Sequence, residues 1–167
     1  MAASKLSTEQ AEAVTLRSVL ADGSQCFRVP KFTQIVTRLA PGYVLVTGIG
    51  YNSGECAPLI TAELARAIPA GGKVTSFVNL AAQTGQASVA REWWSQWVDQ
   101  NRAQVATTHM LVQSRMMDMA ISVLGMVLGG GMIKAHSDVA AFEALIAAQV
   151  PSFRKLPVFP DLPPLLD

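Results

Sequence analysis

The spacing of apolar positions changes near residue 57, from runs suited to strands to alternating strand and helix periods. Residues 15–20 and 25–29 are β-prone and flank Ala21-Asp22-Gly23-Ser24, and an Asp-Gly pair in that setting signals a hairpin. Residues 33–39 and 43–49, rich in Val, Ile and Thr, are separated by Ala40-Pro41-Gly42, which predicts a second hairpin. From 57 to 68 the spacing is helical. Ile60, Leu64 and Ile68 recur every four residues, Pro58 suits a first turn, and Gly71-Gly72 follow the end.

Residues 73–80 (KVTSFVNL) form a nearly continuous apolar run, as expected of a strand covered on both faces. A helix is predicted over 87–102, with Ala90, Trp93, Trp94, Trp97 and Val98 on one stripe and Arg91, Glu92, Gln96 and Asp99 opposite. A strand over 107–113, a helix over 115–128 stopped by Gly129-Gly130-Gly131, and a short strand over 132–135 follow. Ser137 or Asp138 is placed to cap a last helix carrying Val139, Phe142, Leu145, Ile146 and Ala147, and Pro151 stops it. Strands alternating with helices after a directly turned pair predict an α/β fold, with a single open mixed β-sheet, N-terminal hairpin strands and packed helices. The expected organisation is an arm over 1–14, one domain over 15–150 and a Pro-rich tail over 151–167. That tail, ending PVFPDLPPLLD, reads as a surface strap or loose end, with a short peptide ligand for another domain as the alternative.

Composition narrows the function. The 167 residues suffice for one domain with its own core, without metal or disulfide staples. Half are hydrophobic and 15% charged, with a mean hydropathy of +0.31, so a partly covered surface and a homo-oligomer are expected. Thirteen basic against twelve acidic residues, with no basic block, argue against nucleic acid as a partner. Residues 1–10 lack the apolar core of a secretory signal, and no apolar run is long enough for membrane insertion, so a cytoplasmic location is expected. Cys26 and Cys56 are expected as reduced thiols, and scattered His and Asp positions predict no metal and no cofactor.

The stretch HMLVQSRMMDMAISVLGMVLGGGMIKAHSDVAAFEALI, residues 109–146, runs from a hydrophobic strand through an apolar helix and a short strand to Ser-Asp and an Ala-rich helix. With the preceding hairpin, helix and βα units, this order resembles the STAS family and especially its SpoIIAA-like branch, over about residues 34–149. The resemblance implies binding or regulation rather than chemistry. In anti-anti-sigma-type members the strand before the second main helix ends in Asp, and a phosphorylatable Ser lies in the following turn. Here Asn79 stands near the Asp position, and Thr84 or Ser88 near the Ser.

Other residues compete for a functional role. Gly48-Ile49-Gly50-Tyr51-Asn52-Ser53-Gly54 lies between a strand and a helix, the order a phosphate loop requires, although a plain tight turn is the simpler reading. Cys56 sits at a helix start, where the helix dipole would favour a thiolate and the adjacent Glu55 would oppose it, and a quiet thiol is the plainer reading. The three tryptophans either belong to the core or wall a pocket for a hydrophobic ligand. In the helix over 115–128, Arg115, Asp118 and Ser122 form a narrow polar line among Met116, Met119, Met126 and other apolar residues. Such a Met-rich surface suits a homodimer interface or a lipid-like pocket, while burial under neighbouring helices is the plainer alternative. The leading expectation is a non-enzymatic STAS-like module binding a regulatory protein or a small hydrophobic ligand, and self-associating. The alternative is a small cofactor-free enzyme acting on an apolar metabolite through Glu55, Cys56 and His109, which requires those side chains to converge.

Overall fold

The computed structural model describes residues 10–11, 15–113, 131–159 and 162. Among the described residues, seven strands form one sheet: β1 (Leu16–Val19), β2 (Gln25–Val29), β3 (Phe32–Ala40), β4 (Tyr43–Asn52), β5 (Val74–Gln86), β6 (Val105–Leu111) and β7 (Ile133–His136). Their order across the sheet is their order in the sequence. The first four pair antiparallel and β4 to β7 pair parallel. Among the described residues the helices are α1 (Ala57–Ala67), α2 (Ser88–Gln100) and α3 (Val139–Gln149).

Alternation along β4 divides the core in two. Val44 and Val46 face one side, where they join Leu59, Ile60 and Leu64 of α1 and Trp97 and Val98 of α2. Leu45 faces the other side, with Phe77, Leu111 and the α3 residues Phe142 and Ile146. The crossovers through α1 and α2 both advance the same way along the sheet, so a common hand places both helices on one face. After β7 the chain turns back across the opposite face as α3. Its start is fixed by Asp138, whose Oδ1 accepts the Ala141 N–H at 2.6 Å, so Asp138 rather than Ser137 is the cap.

Several boundaries depart from the periodicity. β5 does not stop at Leu80 but runs to Gln86, because residues 82–86 continue to pair with Ile49–Asn52 of β4. β2 and β3 form a further hairpin through Pro30-Lys31, with Lys31 at φ 65°. The glycine-rich segment after Tyr43 is not a phosphate loop, since Gly48 and Gly50 lie within β4 and pair with β3. The core also extends beyond the predicted 15–150 domain. Ala11 is buried on the α1 and α2 side, while Phe153 and Leu156 pack on the α3 side. The Leu156 N–H donates to Glu143 Oε1 at 2.8 Å, tying the start of the tail to α3.

Candidate functional site

Beneath α2 lies a cavity of about 60 Å³. Its apolar wall comprises Trp94 and Trp97 from α2, Leu64 from α1, and Val46, Val78 and Met110 from the central strands. Gln34, Asn52, Ser76, Gln83 and Thr108 contribute polar groups to the same lining, and all five residues are buried. Gly48 makes room for this arrangement: a Cβ there would stand 2.8 Å from Gln83 Oε1. The extension of β5 beyond Leu80 carries Gln83 and Gln86 to the site, where Gln83 Nε2 donates to Gln86 Oε1 at 3.4 Å.

Burying polar groups costs free energy unless they find partners. Asn52 Oδ1 accepts the Gly54 N–H at 3.0 Å, and the Cys56 thiol approaches Gln34 Oε1 at 3.8 Å. Ser76 Oγ has no partner among the described residues. The site therefore combines indole surface with buried groups that can fix an orientation, the composition expected of a small-molecule pocket. Its size is restrictive. A cavity of about 150 Å³ is known to admit benzene, so an aromatic ligand requires α2 to move outward. Trp93 does not line this cavity; it is half-buried outside it, so the tryptophan stripe divides between two environments.

On the opposite face, β6 and β7 bring together two histidines separated by 27 residues. His109 Nδ1 and His136 Nε2 lie 3.0 Å apart, one ring N–H donating to the other ring's lone pair. His109 is buried and stacks on Phe77 with ring centroids 5.5 Å apart, and His136 packs against Phe142 at 5.6 Å. Burial, the neighbouring His136 and Lys134 push the His109 pKa down to about 4, and burial with Lys134 pushes His136 down as well. Both imidazoles are thus held in the neutral form at pH 7.

The enzyme alternative loses its geometry. Cys56 is fully buried on the α1 side, and burial pushes its thiol up to about 12, away from a reactive thiolate. The helix-start effect is overridden by desolvation. The carboxylate of Glu55 accepts the Ser53 hydroxyl at 2.6 Å, while His109 lies in the other core, beside Phe77. The three do not converge. Arg115, Met116, Met119 and Met126 lie outside the described residues.

No protein-family model matches the chain, and no curated sequence matches it. Solved structures do. A DUF3478-family protein with a SpoIIAA-like fold from Shewanella loihica superposes with a TM-score of 0.54 at 14% identity, covering 71% of this chain and 95% of that one. The anti-sigma factor antagonist SpoIIAA in its unphosphorylated form gives 0.53 at 16% identity, covering 70% and 97%. An anti-sigma factor antagonist from Mycobacterium paratuberculosis gives 0.51 at 13% identity, covering 73% and 98%. The chain has the SpoIIAA-like fold. Within this SpoIIAA-like sheet, Asn79 does not end its strand; its Oδ1 accepts the Ala81 N–H at 3.1 Å. Thr84 is exposed within β5, whereas Ser88 is exposed as the first residue of α2, separated from the strand by Ala87. No helix among the described residues is long and apolar enough to cross a membrane.

Proposed function

We propose that this chain is a non-enzymatic, STAS-like binding and regulatory module that self-associates and receives a small apolar ligand beneath α2. The observation that carries this reading is the cavity itself, in which Trp94 and Trp97 face buried polar groups from β3, β4, β5 and β6. The SpoIIAA-like fold supports a regulatory role, and the separation of Glu55, Cys56 and His109 removes the best catalytic grouping legible in the sequence. A protein partner is the second candidate occupant of this face. Of the two candidate phospho-acceptors, Ser88 is the better placed, since a phosphate at a helix N-terminus is favoured by the helix dipole.

Native mass spectrometry of the purified protein, under gentle and then denaturing conditions, tests the proposal. A dimer that carries an adduct released on denaturation is the expected result. A monomer of bare chain mass under both conditions overturns both self-association and retained ligand. Trp97→Ala separates the two: it is expected to abolish adduct retention while leaving the dimer intact.

A further inference from the structure

On the β1–β3 side of α1 lies a cleft of about 400 Å³, apart from the cavity beneath α2. Three arginines from three elements converge there on one carboxylate. Arg17 of β1 donates to Glu63 Oε1 at 2.9 Å, Arg66 of α1 donates to the same oxygen, and Arg38 of β3 reaches Oε2 at 3.4 Å. The Glu63 side chain is 5% exposed, whereas those of Arg17, Arg38 and Arg66 are 47%, 55% and 58% exposed. The carboxylate is therefore spent within the protein, while about half of each arginine side chain remains exposed.

The hydrogen-bond inventory is one-sided. A guanidinium carries five N–H donors and no acceptor, and each of Arg38 and Arg66 directs one contact at Glu63 among the described residues. Arg17 is more fully engaged, sharing Gln25 Oε1 and lying over the Phe27 ring. One oxygen of the second carboxylate is engaged locally, Asp22 Oδ1 taking the Ser24 N–H at 2.9 Å. Ser24 Oγ and Thr37 Oγ1 pair with each other at 2.7 Å on the Leu45 side of the sheet, facing away from Arg38. Counting both carboxylates, the cleft keeps a net charge of +1, carried by arginine donors that Glu63 engages only in part.

From this arrangement we infer that the cleft binds a small phosphate-bearing anion, with Arg38 and Arg66 taking the phosphate oxygens. Guanidiniums match phosphate geometry through paired N–H groups. Glu63 positions the guanidiniums rather than meeting the ligand.

Titration calorimetry with inorganic phosphate and with glycerol phosphate, at ionic strength matched with chloride, tests the inference. Saturable heat with either ligand is expected, and the tighter of the two identifies free phosphate or a phosphomonoester as the natural source. The double variant Arg38→Gln/Arg66→Gln is expected to weaken binding by about tenfold or more, in line with losing charged hydrogen bonds. Arg102→Gln, which disturbs only a surface pair with Asp99, leaves affinity unchanged. Should the double variant fail to fold, by circular dichroism, Arg38→Gln alone decides, because its contact with Glu63 is the longest of the three. Absence of saturable binding, or undiminished binding in the arginine variants, overturns the inference.

Discussion

Acidification should destabilise this protein through His109, and the size of the effect follows from the structure. His109 is buried against Phe77 and joined to His136 at 3.0 Å, an arrangement that accepts one shared hydrogen but not two. Its pKa is about 4 in the folded chain and near 6.5 when unfolded. The unfolded state therefore takes up the proton first as pH falls. Above about pH 6.5 both states are neutral at this site and the full stability is present; between 6.5 and about 4 stability is lost progressively, and below 4 the loss is complete. That difference corresponds to at most about 3 kcal/mol, of which about 2 kcal/mol is gone by pH 5. The perturbation that isolates it is His109→Gln, which keeps a hydrogen-bonding side chain but removes the titration. Urea unfolding of both proteins from pH 7.5 to 4.5 should show the wild type losing about 2 kcal/mol more than the variant. Parallel pH profiles would refute the reasoning, because carboxylate titrations are common to both proteins and cancel in the comparison.

Other substitutions probe the remaining parts of the fold. Phe142→Ala removes a fully buried ring packed edge-on to Phe77 at 6.2 Å, and should cost about 3–5 kcal/mol in urea unfolding. Asp138→Ala removes the α3 cap and should cost about 1 kcal/mol by the same assay. Ser76→Ala takes away a buried hydroxyl without a partner among the described residues, so stability should hold or rise by up to about 1 kcal/mol in thermal unfolding. Gly54→Ala forces an L side chain into φ 93° and against Val89 and the Ala90 backbone, and a loss of about 2 kcal/mol is expected.

Most of the sheet was legible in the sequence because its local signals agree with its long-range pairing. The Asp22-Gly23 and Pro41-Gly42 turns, the four-residue spacing of Ile60 and Leu64, and the Asp138 cap each mark a real boundary. The failures occur where tertiary pairing overrules local preference. Residues 81–86 (AAQTGQ) lack the β-branched run of a strand and are extended because β4 pairs with them. That missed extension conceals Gln83 and Gln86, two polar residues of the cavity lining. Strand periodicity places His109 on β6 and His136 at the end of β7, but their meeting depends on β6 and β7 being neighbours, which strand order alone reveals. At Cys56 the helix start was legible, while the burial that outweighs the helix dipole at the thiol was not. The Glu63 cluster could have been suspected only from a map, since its arginines come from residues 17, 38 and 66.

A sheet whose spatial order repeats its sequence order also bears on how it assembles. Each strand finds its partner in the strand just completed, so no loop closure need wait for a distant part of the chain. β1 to β4 can zip as successive hairpins on the microsecond scale, leaving β4 as the template on which the parallel strands are added one crossover at a time. The slowest step should then be the return of α3 across the finished sheet, because Phe142 and Ile146 gain their contacts with Leu45 and Phe77 only after those strands lie side by side.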